Sequence, residues 1–128
     1  MHPNTHVNKA QSTNDTIPSA THLAVASELD RIIEGVEVPG DVFAAKAEAF
    51  RHVVKLGRTC WQDALPHTLG EEFSGYAALM RRLAGKLRAV LPGCFEICMG
   101  GSAVGTGLGA DPRYMDALYR HPSDIYGE

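Results

Sequence analysis

Residues 68–91, "TLGEEFSGYAALMRRLAGKLRAVL", decide the fold class. Leu69, Phe73, Tyr76, Met80, Leu83, Leu87 and Val90 recur at alternating spacings of four and three, the pattern of a helix that packs along a narrow apolar seam. Thr68 and Glu71 stand three apart at its head, the T-x-x-E pattern in which each side chain satisfies the other residue's backbone N–H. Pro92-Gly93 ends the helix. At 1.5 Å per residue the span is roughly 36 Å long. Gly70, Gly75 and Gly85 sit inside it, each costing about 1 kcal/mol against alanine, a loss that close helix–helix approach would offset. So long a helix cannot bury so narrow a stripe within one compact domain of 128 residues. The pattern predicts an all-α, long-helix bundle, completed by other chains or by more of this one.

Upstream, Pro18 fits the first turn of a helix, where its missing N–H is not needed. Val25, Leu29, Ile32 and Val36 then give a helical stripe. Gly35 and Pro39-Gly40 are expected to end that helix, and Asp41 to cap a second whose apolar face is Phe43, Ala47, Phe50 and Val54. Gly57 closes it. Downstream, Asp111-Pro112 reads as a cap with proline at the first helical position, and Pro122 is expected to cut that helix short. The expected organisation is a polar loop over 1–18, three helices over 19–91 interrupted by a connector at 57–67, a glycine-rich loop over 92–110 and a truncated helix over 111–128.

Hydrophobic residues make up 45% of the chain, enough for a core. A formal charge of −3 argues against a nucleic-acid binder, which carries a basic excess. A solvated helix face accounts for the cluster Arg81, Arg82, Lys86 and Arg88. Cys60, Cys94 and Cys98 form no disulfide framework and suit a reducing cytoplasm, and no Cys/His pair stands at zinc spacing, so no metal is expected. The polar first twenty residues lack the apolar core of a signal peptide, and no apolar run approaches the roughly 20 residues that span a bilayer. These features predict a cytoplasmic chain that binds neither membrane nor nucleic acid.

Two segments carry more specific polar chemistry than their positions require. "QSTND", Gln11–Asp15, sets two hydroxyls and an amide at a helix start, where free N–H groups and the helix dipole favour oxyanions. Capping alone fits the same residues. "GRTCWQDALP", from Gly57 to Pro66, places Thr59 and Cys60 just before a turn, with Gln62 and Asp63 able to brace it. The run "GGSAVGTGLGADP" contains Gly105-x-Gly107-x-x-Ala110, which fits a permissive dinucleotide fingerprint, with "CFEICM" as the strand before it. That fingerprint needs a βαβ unit and a later acidic residue. The chain ends near there and everything upstream is helical, so the run reads as a loop at a helix junction and no cofactor is expected. From the residues alone, the chain carries a small anion site on a helical bundle.

"HPNTHVNKAQSTND", "GRTCWQDALPHTLGEE" and "GGSAVGTGLGADP", in this order and spacing, resemble the class II fumarase and aspartase family of lyases across essentially the whole chain. The resemblance implies part of the central helical domain of that fold, in a homotetramer whose active sites form where three subunits meet. The implied reaction is an anti-elimination that yields fumarate from a dicarboxylate. Ser12, Thr13 and Asn14 match the family's first substrate-binding motif: the hydroxyls would bind one carboxylate and Asn14 the departing amino or hydroxyl group. Thr59 matches the second motif and would hold the other carboxylate, beside Cys60. His2 and Asn4 match a segment that forms an accessory anion site in fumarases.

Three departures separate the branches. Cys60 stands where fumarases have histidine, Thr13 where they usually have a second serine, and Thr5 where they usually have aspartate. These lean towards an aspartate ammonia-lyase acting on L-aspartate, with a fumarate hydratase acting on fumarate and malate as the alternative. The family's loop Ser-Ser-x-Met-Pro-x-Lys-x-Asn, which supplies the serine base and a lysine, does not occur in this sequence, so the catalytic base is unassigned. The chain is therefore expected to be an internal piece of such an enzyme, inactive alone. A non-catalytic oligomerisation relic is the reading from another class.

Overall fold

The computed structural model describes residues 1–126, with side chains through Arg120. It contains helices α1 (Thr13–Ala49), α2 (Leu69–Val90) and α3 (Pro112–Tyr126), and one antiparallel hairpin of strands β1 (Val54–Thr59) and β2 (Gln62–Thr68). A π-helical turn spans Pro3–Val7 and a 3-10 turn spans Leu91–Phe95. The chain groups into two compact units, Glu28–Leu91, and Met1–Ser27 with Pro92–Glu128. The predominantly helical class agrees with the expectation from sequence.

In the unit Glu28–Leu91, α1 does not break at Gly35 or at Pro39-Gly40, and Asp41 caps nothing because it lies inside the helix. The reason is a continuous packed face. Leu29, Ile33, Val36, Gly40, Phe43, Ala47 and Phe50 alternate spacings of four and three, and all are buried or half-buried. An interior proline costs about 3 kcal/mol, while each large apolar side chain buried contributes about 1.5–3 kcal/mol. Keeping the face in register outweighs the lost hydrogen bond. Ile33, not Ile32, is the buried member of the pair; Ile32 is 51% exposed.

Helix α2 begins with the expected capping box: the Thr68 hydroxyl accepts from the Glu71 N–H at 3.1 Å, and the Glu71 carboxylate accepts from the Thr68 N–H at 2.7 Å. Its packed face is offset by one residue from the expected seam. Gly70, Phe73, Ala77, Met80, Ala84, Leu87 and Leu91 line it, all buried or half-buried; Leu69 and Glu72 are half-buried beside it. Gly70, Ala77 and Ala84 recur every seven residues and carry little apolar area, but they let two backbones approach closely. The β-carbon position of Gly40 lies 3.1 Å from Met80 Cβ, and Leu29 and Ile33 cluster with Ala84, Leu87 and Leu91. The two helices therefore run antiparallel here. The Arg88 guanidinium grips the Glu37 carboxylate with both nitrogens, which holds that carboxyl below the usual carboxylate range.

The offset leaves Tyr76, Leu79, Leu83 and Val90 between 38% and 54% exposed along one stripe of α2. Contiguous exposed apolar stripes are a common feature of association surfaces. The 128-residue chain is expected to sediment at micromolar concentration as a species heavier than its 13.8 kDa monomer. A sharp monomer peak would contradict this.

The connector expected at 57–67 is a β-hairpin. Val54 pairs with Thr68, Lys55 with His67, Leu56 with Pro66, Arg58 with Asp63 and Thr59 with Gln62, with a bulge between Leu56 and Arg58. Pro66 is tolerated because both strands of a two-stranded ribbon are edges. Adding a Cβ to Gly57 at the bulge would bring it to 2.9 Å from the Leu65 carbonyl oxygen.

In the other unit, α1 starts at Thr13, five residues before Pro18, so the polar loop is shorter than expected. "CFEICM" forms no strand; a 3-10 turn occupies Leu91–Phe95. The segment after it lies along α1, the Cys98 N–H donating to the buried Ser19 hydroxyl at 3.0 Å and His22 Nδ1 donating to the Glu96 carbonyl at 2.7 Å. Asp111 caps α3 as expected, accepting from the Arg113 N–H at 2.9 Å. Pro122 does not truncate α3, which continues to Tyr126, since proline removes one donor and the helix passes through it. The expected final segment ends at Gly127 and Glu128, which lie outside the described residues.

Candidate functional site

The Ser12–Asn14 segment sits at the start of α1, and its chemistry follows from how the helix is capped. Ser12 takes the N-cap position: its carbonyl accepts from the Asp15 and Thr16 N–H groups at 3.0 Å, and its Oγ accepts from the Asn14 N–H at 3.2 Å. Asp15 completes a reciprocal box, its carboxylate accepting from the Ser12 N–H at 3.0 Å while only 1% exposed. With its oxygen already accepting, the Ser12 hydroxyl is left to donate its proton outward. Thr13 is exposed, and its hydroxyl makes no hydrogen bond to a described residue. The Asn14 amide nitrogen donates to the Ala103 carbonyl in the glycine-rich loop at 3.0 Å. Two hydroxyl donors and an anchored amide thus stand side by side on a rigid helix start.

Thr59 and Cys60 lie at the tip of the hairpin in the other unit. Cys60 and Trp61 form its two-residue turn, with φ of 49° and 63°. Two positive φ values mark the mirror-image turn that matches the twist of a hairpin and normally prefers Asn-Gly. Holding two non-glycine residues there costs roughly 1–2 kcal/mol each, strain of the sort that persists at functional positions. Trp61, the one tryptophan in the chain, is 93% exposed, and Cys60 is a free, exposed thiol. Thr59 borders an open groove of about 650 Å³ together with Lys55, Gly57, Leu65, His67 and Glu72.

The charges around Thr59 are already matched. Lys55 Nζ lies 2.5 Å from the Glu72 carboxylate, which also accepts from the Tyr76 hydroxyl at 2.8 Å. The Lys55 hydrogen bond, reinforced by that of Tyr76, holds the Glu72 carboxyl below the usual range. Arg58 lies 3.6 Å from Asp63. Thr59 can therefore orient a carboxylate, and both neighbouring cations already have carboxylate partners.

His2 caps the exposed π-helical turn and Asn4 lies within it. His2 Nδ1 accepts from the Thr5 N–H at 3.2 Å, and His6 Nδ1 accepts from the His2 N–H at 2.9 Å, so each ring turns an Nε2–H away from its hydrogen-bonded edge. Among the described residues no group of three or more His, Cys, Asp or Glu is arranged to hold a metal ion, and no helix is long and apolar enough to cross a membrane.

Comparison with known proteins decides the family. A lyase family model matches residues 1–127. The chain belongs to the fumarase and aspartase family of lyases. Fumarate hydratase class II of Neisseria meningitidis is 49% identical over 128 residues, covering 99% of this chain and 28% of that protein. Aspartate ammonia-lyase of Bacillus subtilis is 42% identical over 127 residues, covering 99% of this chain and 27% of that protein. The crystal structure of a fumarate lyase:delta crystallin from Brucella melitensis bound to cobalt superposes with a TM-score of 0.87 at 38% identity, over 99% of this chain and 28% of that one. The chain thus spans under a third of the length of the family members it matches.

Asp15, read from the sequence as a cap former, takes that role at the S-x-x-D spacing of a capping box, but one participant in this lyase segment escaped the sequence reading. The Ala103 carbonyl is a main-chain group 89 residues from Asn14, and no side-chain motif announces it.

Proposed function

We propose that this chain supplies two walls of the active sites of an enzyme that eliminates ammonia from L-aspartate to give fumarate. Its membership of the fumarase and aspartase family, with a donor-rich helix start and a strained hairpin tip at the two matching motifs, carries this reading. Ser12 and Thr13 would donate hydroxyl protons to one carboxylate, and Thr59 would orient the other. Asn14 Oδ1 would accept from the departing amino group. In anti-elimination a base takes a proton from the carbon beside a carboxylate, and charge moves onto that carboxylate, where preorganised donors stabilise it. None of these residues is placed as the base. The hydroxyls lack an activating partner, and the matched cations near Thr59 leave the carboxylate's charge to be met by groups outside this chain. The exposed stripe of α2 fits assembly into the homotetramer expected of the family, in the cytoplasm.

Thr13, Cys60 and Thr5 favour aspartate as the substrate. The higher identity to a fumarate hydratase, 49% against 42% for an aspartate ammonia-lyase, favours hydration of fumarate as the second reading. A relic retaining only the helical assembly would bind no dicarboxylate at all. Cys60 provides the test, because its exposed thiol adjoins Thr59. Millimolar fumarate is expected to slow alkylation of Cys60 severalfold, mapped by mass spectrometry, while exposed Cys98 reacts at an unchanged rate. Equal labelling of Cys60 with and without fumarate would count against a dicarboxylate site at the hairpin tip.

A further inference from the structure

We propose that the main-chain carbonyl of Ala103, fixed by the glycine-rich loop, is a positioning group that sets the orientation of the Asn14 amide and so keeps its acceptor end towards an amine leaving group. This rests on the reading of Ser12, Thr13 and Asn14 as substrate-binding residues. The observation is the 3.0 Å hydrogen bond from Asn14 Nδ2 to Ala103 O. A side-chain amide has a donor end and an acceptor end of nearly equal shape, so its orientation is set by its partner. Turned over, Asn14 would set Oδ1 against the Ala103 carbonyl oxygen, two acceptors facing with no proton between them. The bond therefore keeps Nδ2 at the loop and leaves Oδ1 as the available acceptor of an exposed side chain.

The loop is built to hold that carbonyl in one place. Gly100, Ser102, Gly105 and Gly107 have φ of 88°, 57°, 81° and 67°. Ser102, which precedes Ala103, is the non-glycine residue among them, and its left-handed conformation persists because its surroundings impose it. The Gly107 N–H closes the loop on the Gly101 carbonyl at 3.0 Å. The loop is tight on itself at Gly101, where a Cβ would lie 3.2 Å from Gly105 Cα, and Gly101 sits in ordinary contact range of Asp15 Oδ1 in α1, 3.5 Å from such a Cβ. One end of the loop is tied by Cys98 to Ser19, and Tyr119 of α3 donates to the Met99 carbonyl at 2.6 Å.

The consequence is chemical. An ammonium group presents donors and no acceptor, so it matches Oδ1 and is repelled by an amide turned the other way. A hydroxyl can donate or accept, so it tolerates either orientation. Holding Nδ2 at the loop therefore matters most for a substrate whose leaving group is an amine.

The test weakens this one acceptor without altering a side chain of the site. Ligation at the Gly93–Cys94 junction joins a recombinant amino-terminal piece to a synthetic remainder in which the Ala103–Val104 amide is an ester, whose carbonyl is the poorer acceptor. In the all-amide chain, NMR is expected to show a coupling across the hydrogen bond from Asn14 Nδ2 to the Ala103 carbonyl carbon, lost or reduced in the ester. Binding of L-aspartate is expected to weaken about tenfold in the ester, the worth of one oriented hydrogen bond, while binding of succinate, which has no leaving group, is unchanged. Equal weakening of both ligands would reduce the carbonyl to a structural role and overturn the proposal. A freely solvated Asn14 amide together with fumarate protection of Cys60 would overturn the positioning alone. A held amide with no dicarboxylate bound at all would overturn the substrate reading, and with it the role towards a leaving group.

Discussion

Replacing Gly70 with alanine is expected to destabilise the unit Glu28–Leu91 by about 3 kcal/mol, the upper end of the usual overpacking range. The added Cβ would lie 2.5 Å from the Ala47 carbonyl oxygen, 2.6 Å from Arg51 Cα and 2.7 Å from the Arg51 nitrogen. All three are backbone atoms, so no rotamer change relieves the clash. They also belong to the junction that joins α1, the hairpin and α2, where the Leu69 N–H donates to the Val53 carbonyl at 2.8 Å and the Gly70 N–H to the Phe50 carbonyl at 3.0 Å. Pushing α2 away from Ala47 would break these bonds and shift the hairpin that carries Thr59. Gly75 and Gly85 provide the contrast, since a Cβ at either meets no atom within 4 Å. Alanine at those positions is expected to add about 1 kcal/mol each by helix propensity. Thermal melts followed by circular dichroism should rank Gly70→Ala well below the unsubstituted chain and the other two above it. A Gly70→Ala chain as stable as Gly75→Ala would contradict the close packing of α1 on α2.

The isolated 128-residue chain is expected to show no turnover of L-aspartate, L-malate or fumarate. Its matched motifs supply hydrogen-bonding groups but no activated base. Losing a single preorganised donor at a developing anion costs about a hundredfold to a thousandfold in rate, and here both the proton acceptor and the family's carboxylate-binding lysine are missing from the sequence. Cys60 is a free thiol beside Thr59, but an elimination calls for a base at carbon rather than thiolate attack. Fumarate appearance in the ultraviolet gives the assay. Turnover by the purified chain that disappears in Cys60→Ala would show that the chemistry resides in the thiol.

How far the sequence disclosed this depends on which force set each feature. The capping box of Thr68 and Glu71 and the Asp111 cap were legible because they are local, made by residues within a turn of each other. The uninterrupted α1 was not, because Pro39 is a local break signal that a long-range packed face overrides. The true face of α2 was hidden for a related reason. Gly70, Ala77 and Ala84 contribute close approach rather than apolar area, so a pattern of large hydrophobic residues points one position away, to Leu69, Tyr76 and Leu83. The hairpin was missed because Cys60-Trp61 lacks the Asn-Gly signature of its turn, although the β-branched pair Val53-Val54 at the start of β1 was a cue. Ser12, Thr13, Asn14 and Thr59 were singled out as candidates through their motifs, and the structure adds what the motifs cannot: the cap that leaves the Ser12 proton free and the loop carbonyl that accepts from Asn14.

The aspartate assignment is tested most directly by expressing the gene's whole reading frame and measuring fumarate release from L-aspartate and from L-malate side by side. Robust deamination of L-aspartate, with much slower dehydration of L-malate, is the expected result, since Thr13, Cys60 and Thr5 stand where fumarases carry other residues. Rapid dehydration of L-malate with no release of ammonia from L-aspartate would contradict it and make the enzyme a fumarate hydratase.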